Sequence, residues 1–577
     1  MLGFACMRSF YQRHATITVI METIQNTLRR VIQKVFSQDI TPELTRPDEQ
    51  FGDYSTNVAM QLASVLNRPP RQIAEELVAA LEPELKDYAD SITIAGPGFI
   101  NVALHDHVIM AAAAHAPEVK PQTYKGKVVV AEYSDPNPFK ALHAGHLYTT
   151  IIGDAISKLI QTAGGEVHRV NFGGDVGLHV GKAMWAIIGD DEESAWQTVQ
   201  SKKDASLHER ATWMADQYVK GNTAYEDEAA KAQIVEVNKK VYDVHAQDDH
   251  DSTFAKIYWE CRQWSYDYFD WFYTELGVDP FEKYYPESST VQLGIDTVRE
   301  QLKKDVYKES DGAIVFDGEA HGLHTRVFIN SQGLPTYEAK DVGLIMAKWR
   351  DYHFDQSVII TGNDIIEYMK VVLKSIEQFQ PELPPRTTHL THGMVKLEGG
   401  VKMSSRKGNV LYGNDILQAA EAAVAEGSKE TAYAAVKYAF LKQRIGGDII
   451  YSPKESVAME GNSGPYLQYA HARACSILQK AADAEAAFDG SLESDERSLA
   501  RKISEYPEVI GKAVTEMMPH HICTYLYELA QTFNRFYEHN RVVGSDRQPT
   551  RQLLVQLYAD VLKDGLDIMN IPAPVRL

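Results

Sequence analysis

A short unit that begins at Lys127 constrains the fold of this chain more than any other stretch. The run KVVVAEY (127–133) is apolar, as is typical of a parallel strand that is covered on both faces. A Pro-rich loop follows it, then a helical pattern that stops at the pair Gly164-Gly165, which suits a helix C-cap. EVHRVNF (166–172) then reads as a second strand. This order predicts a βαβ unit within a doubly wound, Rossmann-like α/β sheet.

The whole chain has 577 residues, which is too long for one hydrophobic core. Strand-like runs resume at 324–333 and 356–364 with a helical pattern between them, and the last 150 residues or so are helical in pattern. We therefore predict a multidomain α/β protein with an extension at 1–20, an N-terminal α+β domain at 21–118, a doubly wound catalytic domain at 119–385 with a helical insertion at about 183–322, a connecting region with a basic loop at 386–440, and an all-α helical bundle at 441–577.

The first twenty residues stand apart because they contain no acid and two arginines. That composition fits a weak organelle presequence or a start codon placed too early, and we favour a dispensable, disordered or misassigned extension. The net charge of −21 argues against nucleic-acid binding by the whole surface, although it permits a local basic track. Four distant cysteines and the lack of any long apolar window predict a soluble cytoplasmic protein with no membrane partner.

Two histidines, His143 and His146, lie one helical turn apart just past the first predicted strand. Doubly wound sheets bind ligands at this edge, and helix amides there favour an anion. Gly145 between the histidines leaves room for a flat group to approach the backbone. The pair is interpreted as a phosphate clamp, and the alternative is two satisfied polar residues at a helix start.

A second basic motif, VKMSSRKGNV, lies at 401–410. Its cations and two hydroxyls suit a phosphate-binding loop, whereas the bland interpretation is a basic surface loop. The occurrence of H-x-G-H on the first βα turn together with K-M-S-S-R far downstream indicates a class of protein much more specifically than either motif does alone. The pair resembles the signature of class I aminoacyl-tRNA synthetases.

Further segments narrow the resemblance to the arginyl-tRNA synthetase family, from about Met21 to Leu577. They are FGDYSTNVAM (51–60), GPGFINV (96–102), EYSDPNPFKALHAGHL (132–147), NFGGDVGLHVGK (171–182), GLPTYEAKD (333–341), KMSSRKGN (402–409) and GPYLQYAHAR (464–473). The resemblance implies activation of L-arginine by ATP to arginyl-adenylate, then transfer to the 2′-hydroxyl of the terminal adenosine of arginine tRNA.

The resemblance also implies roles for individual residues in ATP chemistry. His143, His146 and Lys402 are the expected catalytic residues, because adenylate formation needs charge stabilisation on phosphates. The expected ATP-binding residues are His143, Gly145, His146, Lys402, Ser404, Ser405 and Arg406. Mg²⁺ is expected as the counter-ion of ATP, with no tightly bound cofactor and no metal site on the protein itself.

A guanidinium substrate needs carboxylates and planar acceptors. The family's arginine-binding residues correspond here to Glu132, Ser134, Asn137, His143, Tyr337 and Asp341. Tyr337 and Asp341 are four residues apart on a predicted helix and share a face, although Asp341 has the alternative of an ordinary helix-start charge. Many members carry a G-x-x-Q-x-x-H pattern where this chain has Ile365 and Tyr368, which puts one arginine contact in doubt.

Two regions resemble the parts of the family that hold tRNA, namely the N-terminal domain and the C-terminal anticodon-binding bundle. Their aromatic, amide and basic residues suit stacking on unpaired bases beside phosphates, and the alternative for each is helix packing. The candidate tRNA-binding residues are Phe51, Tyr54, Asn57, Tyr466, Gln468, Tyr469, His471 and Arg473. A monomer is expected from the resemblance.

Three alternative functions compete with arginine ligation as explanations of these motifs. A small nucleotidyltransferase would also use H-x-G-H, but it would lack the large insertion and the C-terminal helices. A non-catalytic tRNA-binding paralogue would be expected to lose the phosphate histidines or Lys402, and all are present. A class I synthetase for another amino acid remains the alternative, and Glu132 with Asp341 favours a cationic substrate.

Overall fold

The computed structural model describes residues 20–398, 412–424, 428–481 and 485–576. These residues form two compact units. One unit combines the described residues up to Pro121 with those from Met459 onward, and the other spans Gln122–Ala458. The second unit is called the catalytic unit below, and the first is called the terminal unit.

The N-terminal part of the terminal unit is an α+β segment, as predicted. Its strands β2 and β3 form the hairpin expected from SITIAGPGFINVAL, and β1 adds antiparallel to β3. Pro70 begins the helix α3, a position where the missing N–H of proline has no helical partner to lose. In chain order the elements are α1 (Ile20–Phe36), β1 (Tyr54–Thr56), α2 (Val58–Leu66), α3 (Pro70–Leu85), β2 (Ala89–Ala95), β3 (Phe99–Leu104) and α4 (Asp106–His115).

The catalytic unit contains the predicted βαβ unit and two further small sheets. Its strands are β4 (Val128–Glu132), β5 (Glu166–Gly173), β6 (Lys283–Pro286), β7 (Lys308–Ser310), β8 (Ala313–Phe316), β9 (Arg326–Ile329), β10 (Gln356–Gly362), β11 (Thr387–His392), β12 (Val395–Leu397) and β13 (Ile449–Tyr451). Its helices are α5 (Ala144–Thr162), α6 (Leu178–Ile188), α7 (Glu192–Ser201), α8 (Leu207–Ala224), α9 (Glu228–Ala246), α10 (Thr253–Leu276), α11 (Glu287–Leu302), α12 (Tyr337–Tyr352), α13 (Ile366–Glu377), α14 (Leu383–Arg386), α15 (Gly413–Ala423), α16 (Lys429–Leu441) and α17 (Pro453–Ser456).

Five parallel strands in the order β11-β10-β4-β5-β6 form the central sheet. The chain runs from β4 outward to β5 and β6 on one side, then returns to place β10 and β11 on the other side. The order therefore reverses between β4 and β10, where Glu132 pairs in register with Ile359. Such a switch point opens a crevice at the carboxyl ends of the strands, and this positions the site described below.

The helical insertion is shorter than predicted. Helices α6 to α10 confirm its helical character, but β6 returns to the parallel sheet well before residue 322. The strand is four residues long and lies at the sheet edge, so it carries no extended apolar run. The strand predicted near 324–333 is present as β9, but it pairs antiparallel with β8 in a separate sheet.

The C-terminal part of the terminal unit is helical, as predicted. Its helices are α18 (Gly464–Lys480), α19 (Ser494–Ser504), α20 (Tyr506–Glu516), α21 (His520–His539) and α22 (Gln548–Ile568). They bury an apolar core that includes Leu499, Phe533 and Leu562. None of the helices in the described ranges is long and apolar enough to cross a membrane.

Candidate functional site

The two motif histidines begin helix α5. His143 is the N-cap, and its Nδ1 accepts hydrogen bonds from the backbone N–H groups of Gly145 and His146 at 3.1 and 3.4 Å. In return, Nδ1 of His146 accepts from the backbone N–H of His143 at 3.2 Å. The rings stack with centroids 3.7 Å apart. Because both Nδ1 atoms accept, a neutral ring carries its proton on Nε2, where it can be donated to a ligand.

Both histidines are neutral at physiological pH. The surrounding protein partly desolvates the rings, although His143 keeps exposed surface, and this, together with nearby Lys140, lowers the pKa of His143 to about 4. The same desolvation lowers the pKa of His146 well below its usual value, with His143 as the next cause. Burial also lowers the pKa of Lys140, to about 8. The cleft thus offers two neutral N–H donors and one adaptable cation to an anion.

Gly145 has a steric role in this stack. A Cβ at residue 145 would lie 2.8 Å from Cε1 of His143, which is closer than real Cβ contacts. Any larger residue would therefore displace the ring that caps the helix. The approach of a flat group of the ligand to this backbone stays a prediction.

The loop between β4 and α5 is held in a costly backbone conformation. Ser134, Asp135 and Phe139 have φ values of 74°, 49° and 66°, in the left-handed region that side chains disfavour. Phe139 is fully buried, which helps to hold this conformation in place. The loop leads directly into His143, so its shape sets where the histidines lie.

Side-chain hydrogen bonds give this loop further support. The hydroxyl of Ser134 lies 2.8 Å from the Tyr273 hydroxyl and accepts from Thr150 at 2.8 Å. Oδ1 of Asn137 accepts from the Gly174 N–H at 2.9 Å. Ser134 is thus engaged with the protein, while the Asn137 NH₂ group has no hydrogen-bond partner among the described residues.

Four carboxylates lie around the end of β4 and influence one another electrostatically; we call them the acid pocket, and they are Glu132, Asp135, Glu287 and Asp341. Two lysines bond to them: Lys348 to Glu132, and Lys340 to Glu287 at 2.6 Å. Among the described residues, the acids in this pocket outnumber the lysines bonded to them.

The protonation of the acid pocket reflects this imbalance. Burial raises the pKa of Asp341 to about 7, and the neighbouring Glu132 and Glu287 add to the effect. Burial also raises the pKa of Asp135 and of Glu287. A buried carboxylate without a matching cation is unstable in its charged form. The pocket is therefore arranged to take up a cationic group.

Tyr337 and Asp341 occupy the predicted face of α12. Tyr337 is the first residue of the helix and is 60% exposed, so its ring is available to a ligand. Asp341, one turn on, is buried and accepts a hydrogen bond from the Tyr368 hydroxyl. Electrostatic interactions link Asp341 to Glu132 and Tyr337 to Glu287, whereas the Ser134 hydroxyl is bonded within the protein. Lys402, Ser404, Ser405 and Arg406 lie outside the described residues.

The FGDYSTN motif of the terminal unit has a different environment from the one predicted. Tyr54 is fully buried, and its hydroxyl donates to Glu508 on α20 at 2.7 Å. Asp53 is also fully buried and accepts from Arg497 on α19 at 2.8 Å. A buried ring cannot stack on a base, so the prediction for Tyr54 is wrong and its role is packing. Phe51 is 47% exposed and remains a candidate.

Asn57 precedes helix α2 and is half-buried, with Oδ1 accepting from Gln61 at 3.0 Å. Within the part of the chain that the structure describes, its amide NH₂ has no hydrogen-bond partner, and Asn57 also remains a candidate.

The candidates on α18 divide into two groups. Gln468 and His471 are buried and bond to the carbonyls of Pro572 and Pro574 at 2.9 Å each, so the chain end covers them. These two predictions are wrong for direct base contact in this conformation. Tyr469 is exposed, and the Arg473 guanidinium lies 4.8 Å from its ring centroid.

Tyr466 is half-buried, and its hydroxyl accepts a hydrogen bond from Asn534 at 2.8 Å. The candidate RNA-binding surface of this helix is therefore reduced to Tyr466, Tyr469 and Arg473.

Several site residues were not identified from the sequence. Lys140 lies beside H-x-G-H, and Tyr368 was noted only as a departure from the family pattern. Lys348, Glu287 and Tyr273 gave no usable signal, because they lie in helical stretches whose charges and aromatic rings resemble ordinary surface and core residues.

Family models match the chain over three consecutive regions. The "Arginyl tRNA synthetase N terminal domain" matches residues 20–104, "tRNA synthetases class I (R), catalytic domain" matches 108–451, and "DALR anticodon binding domain" matches 467–577. The catalytic-domain match alone covers more than half of the chain.

Relatives and solved structures agree with these matches. The chain is 28% identical to the arginine–tRNA ligase of Treponema denticola, covering 96% of this chain and 98% of the relative. It is 29% identical to that of Fusobacterium nucleatum, covering 91% and 93%. In fold it is similar to Thermus thermophilus arginyl-tRNA synthetase, with a TM-score of 0.79, 22% identity and coverage of 97% and 100%. The Plasmodium falciparum arginyl-tRNA synthetase has a TM-score of 0.77, 21% identity and coverage of 98% and 100%.

Proposed function

The chain belongs to the arginyl-tRNA synthetase family, the class I synthetases that charge tRNA with arginine, and from this premise we propose how its own residues perform the reaction. The observation that carries the assignment of residues is the acid pocket beside two stacked, neutral histidines. The acid pocket is suited to a guanidinium, and the two histidines are suited to phosphates. The shared name of the relatives favours arginine over another amino acid.

Asp341 is the proposed main partner of the arginine guanidinium. Its carboxylate is buried and has no lysine bonded to it among the described residues, whereas Glu132 and Glu287 are each bound to a lysine. A bidentate guanidinium–carboxylate pair would restore the balance of charge in the pocket. Glu132 contributes to the local field, the Asn137 amide is proposed to donate to the substrate, and Tyr337 packs against it.

His143 and His146 are proposed to donate Nε2–H hydrogen bonds to the phosphates of ATP. Their Nδ1 atoms are held by the helix backbone, so the two donors are oriented before the nucleotide binds. The amides at the start of α5 and the side chain of Lys140 add positive potential. Lys402 with Ser404, Ser405 and Arg406 is proposed to close over the pyrophosphate.

The chemistry then proceeds in two steps. The α-carboxylate of arginine attacks the α-phosphorus of ATP, a P–O bond forms, and pyrophosphate leaves with the broken bond's electron pair. The 2′-hydroxyl of the terminal adenosine next attacks the arginyl carbonyl, and AMP leaves. Both steps need oriented donors on developing negative charge more than they need a nucleophile from the protein.

Mg²⁺ is proposed to enter as the counter-ion of ATP, as part of the nucleotide substrate. Within the described ranges, no group of three or more His, Cys, Asp or Glu side chains is arranged to hold a metal ion. A cytoplasmic location and a monomeric state are likewise proposals that follow from the family.

The proposed tRNA contacts lie on the terminal unit. Phe51 and Tyr469 present exposed rings, and Arg473 adds a cation beside Tyr469. Stacking on such rings tolerates different bases, while the cation favours the backbone phosphates. Asn57 and Tyr466 are polar neighbours proposed to complete the two contact regions.

The test is ATP–pyrophosphate exchange with arginine, with lysine as the matched cationic control, in the presence and absence of total tRNA. We expect exchange with arginine and no exchange with lysine, together with charging of tRNA. A His146→Ala variant is expected to lose exchange by about 10²-fold or more, as when one preorganised donor is removed. Full exchange in that variant would refute the clamp assignment.

A further inference from the structure

Tyr368 lies next to the acid pocket at a position where the chain departs from its family pattern. It belongs to the first turn of α13, just after β10 ends at the switch point of the sheet. Its hydroxyl donates a hydrogen bond to Oδ2 of Asp341 on α12. The hydrogen bond therefore connects the two helices that line the guanidinium side of the pocket.

The direction of this hydrogen bond is set by chemistry. Burial raises the pKa of the Tyr368 hydroxyl well above its usual value, and the adjacent Asp341 adds to the effect, so the tyrosine stays protonated. A carboxylate can only accept. The bond also counteracts burial at Asp341, because a hydrogen bond to the charged form lowers the pKa of the acid.

A resident guanidinium holds the tyrosine ring in place. The Arg326 guanidinium carbon lies 5.6 Å from the Tyr368 ring centroid, within the range of a cation–π contact. Arg326 is itself paired with Glu338 at 3.0 Å, so it does not neutralise Asp341. The ring is thus fixed from one side, and its hydroxyl is fixed by the carboxylate.

We propose that Tyr368 is a positioning residue that fixes the rotamer of Asp341 by holding Oδ2, so that Oδ1 faces the guanidinium of the substrate. This inference rests on the proposed role of Asp341 in arginine binding. Tyr368 stands where many relatives place a histidine, and it supplies the same kind of group, a hydrogen-bond donor on a ring.

The test compares Tyr368→Phe with the unmodified enzyme in exchange and charging assays. Loss of one hydrogen bond to a charged acceptor is expected to raise KM for arginine about ten-fold, while KM for ATP and for tRNA stays unchanged. The acidic limb of the pH profile of kcat/KM for arginine should move to higher pH, because Asp341 loses a bond to its charged form. A structural role alone would not move this limb.

Two further variants make the outcome decisive. Tyr368→His restores a donor and should recover most of the lost arginine affinity. The matched control is Tyr352→Phe, on the same helix as Asp341. It removes a hydroxyl that is bonded to Glu282 at 3.3 Å, and it should leave the KM values for arginine, ATP and tRNA unchanged. An unchanged KM for arginine in Tyr368→Phe, or an equal loss for all three substrates, overturns the proposal.

The failure of this inference can be told apart from failure of the proposed function. If Asp341→Asn abolishes arginine-dependent exchange but Tyr368→Phe has no effect, Asp341 binds arginine without help from Tyr368. If Asp341→Asn itself leaves KM for arginine unchanged, the site assignment on which the inference rests is wrong.

Discussion

Buried carboxylates occur in both units, but they are neutralised to very different degrees. In the terminal unit, Glu496 is fully inaccessible, and Arg547 and Arg551 each bond to it at 2.8 Å. These bonds outweigh burial and lower the pKa of Glu496. In the catalytic unit, burial dominates at Asp341 and raises its pKa to about 7. Burial alone therefore does not mark a binding site; burial without a resident cation does.

Asp53 shows the same neutralised pattern as Glu496. It accepts from the Leu104 N–H at 2.7 Å and pairs with Arg497 and Arg501 at 2.8 and 3.3 Å. Both carboxylate oxygens accept hydrogen bonds from the protein, and two arginines neutralise the charge of Asp53. Asp53 of the FGDYS motif thus fastens the N-terminal segment to α19, whereas the acid pocket is proposed to receive the substrate. Four predictions examine this contrast.

The largest effect is expected for Asp341→Asn. Loss of one partner of a desolvated ion pair costs about 3–5 kcal/mol, so kcat/KM for arginine should fall by about 10²- to 10⁴-fold. The melting temperature should stay the same or rise, because the variant removes an uncompensated buried charge. Asp351→Asn, on the surface end of the same helix, is the control and should leave arginine kinetics intact. If Asp341→Asn lowers the melting temperature but leaves arginine kinetics normal, Asp341 has a structural role like that of the neutralised acids, and the prediction is wrong.

The opposite pattern is expected for Asp53→Ala. Removing this carboxylate leaves two arginines without their partner, so the free energy of unfolding should fall by about 3 kcal/mol. Urea unfolding followed by circular dichroism measures this, with the exposed Asp39→Ala as a control that should behave like the parent. KM for arginine in the folded fraction should not change. A large rise in that KM would contradict the division between the two acid sites.

The next largest effect is expected in the pH dependence, which should differ between Asp341 in the catalytic unit and Glu496 in the terminal unit. Asp341 has a pKa of about 7 in the free enzyme and is proposed to bind arginine only when ionised, so arginine affinity should fall about ten-fold between pH 8 and pH 6. For Glu496 the folded-state pKa is depressed, so its stabilisation is present above the unfolded-state value and is lost only as pH falls through the lower folded-state value. Calorimetric binding from pH 6 to pH 8 tests the first half, and calorimetric unfolding at pH values below the ordinary glutamate pKa tests the second. An arginine affinity that is constant from pH 6 to pH 8 would contradict the first.

The smallest effect is expected for Tyr54→Phe. The variant loses the hydroxyl contact with Glu508, which should reduce the free energy of unfolding by about 1 kcal/mol and leave KM for tRNA unchanged. Phe51→Ala, three residues earlier and exposed, is the matched variant and should raise KM for tRNA about five-fold or more. The reverse ranking of the two variants in tRNA binding would restore Tyr54 as a base-stacking residue.

Local patterns made the βαβ unit predictable from the sequence. The apolar run at β4, the histidine cap of α5 and the glycine pair after it all act within a few residues, and each is present in the structure. The strand β6 escaped notice because four residues at a sheet edge carry too little periodicity.

Burial at the predicted tRNA sites could not be predicted for a related reason. The partners of Tyr54, Gln468 and His471 lie more than 100 residues away in the chain. A motif shows which groups are present, but not what another segment places against them. Lys348 is a similar case, because its bond to Glu132 spans 216 residues.

The left-handed residues between β4 and α5 carry a practical consequence for anyone who would transplant the motif. Each such residue costs roughly 1 kcal/mol or more, so the segment 134–146 excised as a peptide would relax into another shape. A graft into a different α/β scaffold must bring a cavity for Phe139 and hydroxyl partners equivalent to Tyr273 and Thr150. A transplant therefore needs the loop together with the residues that support it, because the sequence of the loop alone does not maintain this backbone conformation.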